Sequence, residues 1–171
     1  MAHHSKQILQ IETRNPLTLF DINTDENLQP EYVKVLDAGV GKGVFAARPY
    51  PNKSVIGEIT GELVKDQYQD TNYTFEAIDG YQIEPYEPFR YLNHSCQPNC
   101  DFEWLDHPGG NHGEKKAGLY LIAIRDILCE EQFTIDYRWP ASFAIQCQCK
   151  EPLCRGWVAD ISELDKLPSP A

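Results

Sequence analysis

Short apolar runs separated by polar turns set the rhythm of this chain. YVKVLDA (32–38), GVFAARPY (43–50), SVIGEITGELV (54–64), NYTFEAI (72–78), YQIEP (81–85), AGLYLIAIRDI (117–127) and EQFTIDY (131–137) are rich in Val, Ile, Tyr, Phe and Thr. Each predicts strand of about four to eight residues. Helical spacing of apolar positions is nearly absent; KDQYQD (65–70) and ISELDKL (161–167) have room for a turn or two. The pattern therefore predicts a mostly β protein with irregular connections. Residues 1–30 read as an irregular lead-in, broken at Asn15-Pro16 and Gln29-Pro30. HPGGNHGEKK (107–116) reads as a Gly-rich loop tip, and DKLPSPA (165–171) as a disordered end.

Composition narrows the class. With 171 residues, 42% of them hydrophobic, the chain suits one domain with a real core. No apolar run approaches the roughly 18 residues that span a bilayer, and the first residues lack the charged head and apolar middle of a signal peptide. The expectation is a soluble, intracellular protein without a membrane partner, in nucleus or cytoplasm. A net charge of −11 disfavours a grip on nucleic acid through phosphate neutralisation, so no direct DNA binding is expected. The same charge favours basic partners such as protein tails, and also serves solubility. Oligomeric state is not legible.

The chemistry concentrates in RYLNHSCQPNC (90–100), where Asn93, His94, Ser95 and Cys96 are adjacent. A nucleophilic Cys usually meets its His through space rather than as a near neighbour, so adjacency argues against that use. A disulfide, a metal ligand and a polar turn around a buried Cys96 stay open on this stretch alone. Six cysteines in an intracellular chain lean toward metal. Cys147, Cys149 and Cys154 form CQCKEPLC, a CxCx4C cluster that supplies three thiolates where a structural zinc site wants four ligands. Cys96 is the candidate for the fourth; the plainer alternative is a set of free thiols in a turn. His3, His4, His107 and His112 lie at a terminus or in the loop tip and make poor preformed ligands. Cys100 and Cys129 are expected as buried free thiols.

In this order and spacing, the blocks GKGVFAARPYPNKSVIGEITGE, NYTFEAIDGYQIE, RYLNHSCQPNC, GLYLIAIRDILCEEQFTIDY and CQCKEPLCRG resemble a SET-domain protein lysine methyltransferase with a post-SET zinc segment. The likeness runs from about Tyr32 to Trp157. It implies a mostly β, β-clip-like fold of several small sheets, with a knot-like C-terminal threading. The implied layout is a lead-in at 1–30, the SET domain at 31–140, the post-SET zinc segment at 141–160 and a tail at 161–171. It also implies methyl transfer from S-adenosylmethionine to a lysine of a basic protein, a histone tail being the leading candidate. The rival is a catalytically weak module of the same fold that binds a basic peptide without transferring methyl.

By the same resemblance, the donor would lie on the backbone of Lys42 and Gly43, with Asn93 and His94 taking its amino-acid and adenine groups. Arg90 and Tyr91 would shape that pocket, and Trp157 would lie over the adenine or pack at the rim on Leu153. One structural zinc would be held by Cys96, Cys147, Cys149 and Cys154. Tyr137 would hold the substrate amine for attack, and Tyr73 would line its channel. Phe102 and Ile135 stand where a further channel hydroxyl limits product number in the family, so methylation beyond the first is expected. Two departures fall in connections: the short PYEP (85–88) and Glu130, where Gly commonly stands.

Overall fold

The computed structural model describes residues 32–64, 74–76, 82–106 and 117–169. The strands are β1 Val33–Asp37, β2 Lys42–Ala46, β3 Val55–Glu58, β4 Gly61–Val64, β5 Phe75–Glu76, β6 Gln82–Pro85, β7 Asn93–His94, β8 Cys100–Asp106, β9 Ala117–Ala123, β10 Thr134–Ile135, β11 Ile145–Gln146 and β12 Trp157–Val158. Among the described residues they form five small sheets: β1-β2, β3-β9-β8, β4-β6-β5, β7-β10 and β11-β12. Helix is limited there to short 3-10 turns, as at Phe89–Tyr91, Ala141–Phe143 and Ile161–Lys166.

The run SVIGEITGELV divides. Its first half pairs with β9 and its second with β6, so one apolar stretch serves two sheets. Gly61 permits the second pairing, because a Cβ there would stand 2.1 Å from the Glu84 carbonyl oxygen. Strand β8 was not expected, since its first residues belong to the polar NHSCQPNC stretch and acidic residues interrupt the rest. Seven consecutive pairings with β9, from Cys100↔Ala123 to Asp106↔Ala117, hold it extended regardless.

The core collects the inward side chains of several sheets. Val44 and Ala46 of β2, Leu119, Leu121 and Ala123 of β9, and Ile127, Phe133 and Ile135 are buried, with Phe133 set edge-on to Tyr50 at 5.3 Å. Burying each large apolar side chain contributes about 1.5–3 kcal/mol.

The parallel pairing of β7 with β10 organises the site. Thr134 pairs with Asn93 and Ile135 with His94, and the Ser95 N–H donates to the Ile135 carbonyl. Two motifs far apart in sequence thus lie side by side in the same direction. Asn99, 1% exposed, bolts them together. Its Oδ1 accepts the Thr134 N–H at 2.8 Å, and its Nδ2 donates to the Gln132 carbonyl at 2.8 Å and to Glu131 Oε1 at 3.1 Å.

Other expectations change. KDQYQD, Tyr73, His107 and His112 lie outside the described residues, as do residues 1–30. Cys100 is buried as expected, but Cys129 is exposed, at a turn where its thiol reaches the Ala47 carbonyl. Of the segment DKLPSPA, residues 165–169 are described and tied down: Lys166 belongs to a 3-10 turn capped by Asp160, and the Pro168 carbonyl accepts from the Trp157 indole.

Candidate active site and metal centre

On one side of β7, Asn93 Nδ2 donates to the Lys42 carbonyl at 3.0 Å, tying the motif to the start of β2. Gly43 lies beside it. A Cβ at Gly43 would stand 2.9 Å from Ala38 Cβ, which cannot swing away, and 2.3 and 3.1 Å from the amide nitrogens of Gln132 and Asn93, so a bare backbone suits this position. Gln132 Nε2 is buried and has no hydrogen-bond acceptor among the described residues. A bare backbone flanked by amide donors, one of them unsatisfied, suits a polar ligand with carbonyl or carboxylate acceptors. S-adenosylmethionine carries such groups, so the residues present fit it. Above the same corner, Lys42 Nζ sits 4.6 Å over the Tyr91 ring, and the Tyr91 hydroxyl donates to Glu87. Arg90 lies 3.8 Å from Glu84 and flanks the Tyr91 ring.

His94 turns its ring inward, its side chain 5% exposed. Nδ1 accepts the Tyr137 N–H at 3.2 Å, which puts the ring proton on Nε2, facing Cys96 Sγ at 3.4 Å. Burial pushes its pKa down to about 4; Asp136 opposes this and Arg155 adds to it. The imidazole is therefore neutral at physiological pH, and its 3.5 Å approach to Asp136 is not an ion pair.

The four thiols proposed as ligands come together from 96 and from 147–154: the sulfurs of Cys96, Cys147, Cys149 and Cys154 all lie within 4.8 Å of one another. Cys96 is 3.6 Å from Cys147 and 4.0 Å from Cys154. Four sulfurs at a zinc–sulfur distance of about 2.3 Å stand about 3.8 Å apart in a tetrahedron, so the cluster fits that ion. Backbone amides face the sulfurs: Arg155 N–H toward Cys96, Gly156 N–H toward Cys154 and Cys149 N–H toward Cys147. These donors favour thiolates. Burial pushes the Cys96 and Cys147 thiols up, a cost that a bound cation would offset.

Tyr137 stands at the junction of these two regions. Its hydroxyl donates to the Leu92 carbonyl at 2.7 Å, and its ring lies 5.4 Å from His94 and 5.1 Å from Trp139. With the proton directed at Leu92, the oxygen would act toward an amine as an acceptor. Ile135 is fully in the core, whereas Phe102 is half-buried against Phe75, with ring centroids 4.5 Å apart. Trp157 is half-buried, its indole bonded to the Pro168 carbonyl at 3.0 Å, and Leu153 is exposed.

Four residues of the site escaped the sequence reading. Asn99 and Gln132 fix the β7–β10 junction. Asp136 and Arg155 form a bidentate pair at 2.6 and 2.7 Å. Burial alone would raise the Asp136 carboxyl, but Arg155 and the Arg138 N–H hold it below the ordinary carboxylate range. The available signals were adjacency: Asp136 precedes Tyr137 and Arg155 follows Cys154.

Residues 41–138 match the family model described as SET domain. The chain is 30% identical over 132 residues to the histone-lysine N-methyltransferase, H3 lysine-4 specific, of Schizosaccharomyces pombe, covering 68% of this chain and 14% of that protein. It is 26% identical over 144 residues to the histone-lysine N-methyltransferase trithorax of Drosophila virilis, covering 75% and 4%. It is 32% identical over 129 residues to the histone-lysine N-methyltransferase set1 of Dictyostelium discoideum, covering 66% and 8%. The chain thus spans a small part of the curated relatives it matches. In fold it is similar to a crystal structure of KRYPTONITE in complex with mCHH DNA, H3(1-15) peptide and SAH, with a TM-score of 0.60 and 23% identity over 74% of this chain and 29% of that one.

Proposed function

Because the chain belongs to the SET-domain family, its model matching residues 41–138, we propose that it transfers a methyl group from S-adenosylmethionine to the side-chain amine of a lysine in a basic protein. The observation that carries this reading is the convergence of the Gly43–Asn93–Gln132 corner and the Tyr137 hydroxyl on one parallel strand pair. When bound, the donor supplies an electrophilic methyl on a sulfonium.

The rest falls to the chain's own side chains. The backbone at Lys42 and Gly43, with Asn93 and Gln132, would receive the polar end of the donor; Arg90, Tyr91, His94 and Trp157 would bound the remainder. Both nitrogens of His94 face other groups of the chain, so its part is to hold Tyr137 and Cys96 rather than to remove a proton. A lysine amine, with a reference pKa of about 10.4, is protonated in water and must release that proton to solvent, be desolvated and be aligned before its lone pair can take the methyl. The Tyr137 oxygen, fixed by Leu92, suits alignment; a phenol of pKa about 10 is a feeble base at neutral pH. Tyr73 would line the same channel. Phe102 and Ile135 offer no hydroxyl, so the amine would accept more than one methyl.

One zinc ion would close Cys147, Cys149 and Cys154 onto Cys96. A histone tail is the substrate we favour: the chain carries a net charge of −11, and the curated relatives are named as histone-lysine methyltransferases. That charge speaks for a protein substrate rather than direct DNA binding. Reduced thiols and the donor coexist inside cells, the compartment this reading requires.

The test is transfer of tritiated methyl to histones and to extracts of the host, with mass spectrometry of the products. Incorporation at lysine, at more than one methyl per residue, is expected. Binding of S-adenosylmethionine and of a basic peptide with no incorporation would replace the enzyme by a peptide-binding module. A ladder stopping at one methyl with donor in excess would reject the reading of Phe102 and Ile135.

A further inference from the structure

We propose that Arg155 is a positioning residue for the transfer site, coupling the cysteine segment to the strand end that carries Tyr137. The inference rests on the methyltransferase reading above, and it begins with a closed circuit of contacts. The Arg155 N–H donates to Cys96 Sγ at 3.4 Å. Its guanidinium grips both oxygens of Asp136, at 2.6 and 2.7 Å, with the two side chains only 13% and 14% exposed. Asp136 is followed by Tyr137, whose N–H donates to His94 Nδ1 at 3.2 Å. The opposite nitrogen of that ring faces the same Cys96 sulfur at 3.4 Å.

The circuit has a mechanical consequence. Arg155 comes immediately after Cys154, and Asp136 immediately before Tyr137, so an ion that gathers the four sulfurs also seats the guanidinium on the carboxylate. Both bonds are short, charge-assisted and largely shielded from water, which makes the pair directional rather than a loose surface contact. The planar fork of arginine matches both carboxylate oxygens at once; a lysine ammonium cannot. Arg155 Nε is buried and has no oxygen or nitrogen acceptor among the described residues, so the terminal nitrogens on Asp136 carry the side chain's polar contacts there. Tyr137 is thereby held twice at the N-terminal side of its main chain, by His94 through its N–H and by Arg155 through the preceding residue. Closure of the C-terminal segment would thus set where the Tyr137 hydroxyl lies, in addition to covering the donor.

The experiment measures amide hydrogen exchange over residues 134–139 in the full chain, together with metal content and steady-state kinetics. In the unaltered chain, removal of metal with a chelator is expected to raise exchange in that segment about tenfold or more. Arg155→Lys is expected to retain one metal per chain and still show the raised exchange. Its kcat should fall about tenfold to a hundredfold, with the peptide KM within about twofold of the parent. Adding Asp136→Asn to Arg155→Lys should cost little more, because the contact is already gone.

Parental exchange and kcat in Arg155→Lys would overturn the proposal, as would additive losses in the double variant. Loss of metal from Arg155→Lys would make the arginine a structural part of the cysteine segment and equally overturn it. The two readings fail separately. Exchange changes as described in a chain that methylates nothing would leave the coupling standing and reject the methyltransferase reading; unchanged exchange in an active enzyme would do the reverse.

Discussion

The hydroxyl of Tyr137 donates to the main-chain carbonyl of Leu92 at 2.7 Å, joining the end of one motif to the start of another. Under the proposed transfer reaction, this bond would decide how the phenol serves an incoming amine, since it directs the proton inward and leaves an oxygen acceptor. Tyr137→Phe should therefore lower kcat by about a hundredfold while leaving donor affinity nearly intact. Loss of the same bond should cost about 1 kcal/mol of stability. Tritium transfer, calorimetric titration of S-adenosylmethionine and thermal denaturation separate these effects; unchanged kcat would remove Tyr137 from the mechanism.

Metal analysis of the protein grown with zinc should return one equivalent per chain. Cys96→Ser leaves three thiolates from the C-terminal cluster and should weaken retention against a chelator by at least about a hundredfold. Cys129→Ser, at an exposed turn away from the cluster, should keep the full equivalent. Equal retention by both variants would place the ion elsewhere.

Asn99 satisfies the Thr134 N–H, the Gln132 carbonyl and Glu131 from a buried position. Truncation to Ala leaves buried donors and acceptors without partners and should cost about 2–4 kcal/mol, read from urea unfolding. Because the bonds span β8's start and β10, the loss should appear with any donor bound or absent.

Acid should expose the role of Glu131. Burial alone would raise its carboxyl, but Arg125 at 2.6 Å, the Leu128 N–H and the Asn99 amide outweigh it and hold the pKa below the ordinary 4.5. A group depressed in the folded state stabilises the fold above its unfolded pKa, and that contribution fades as pH falls through the folded value. The urea midpoint of the parent should thus drop below about pH 4.5, whereas Glu131→Gln should start lower at neutral pH and lose less on acidification. Parallel pH curves for the two proteins would contradict this.

Glu130 adopts φ +67°, a left-handed conformation that costs a residue with a Cβ about 1–2 kcal/mol. Glycine relieves that strain and gives back part of the gain through the entropy of the unfolded chain. Glu130→Gly should raise stability by about 0.5–1 kcal/mol, or about 2 °C in Tm, with kcat unaltered. The resemblance had marked this position as one where Gly commonly stands, and the φ angle supplies the reason.

Much of the molecule is legible in its sequence. Period-two apolar runs and β-branched content are local properties, so the β class and most strands followed from them. The thiol spacing in CQCKEPLC and the NHSC stretch likewise singled out the residues that form the cluster, because ligand type is a property of the side chain itself. Residue pairings were not legible. The division of SVIGEITGELV between two sheets, the strand at Cys100–Asp106 and the parallel match of His94 with Ile135 depend on partners distant in sequence, which no local pattern encodes. The same holds for Arg155 on Asp136 and for Asn99 beneath Thr134: a polar side chain declares what it can bond, and only the folded chain decides which partner excludes water from that bond.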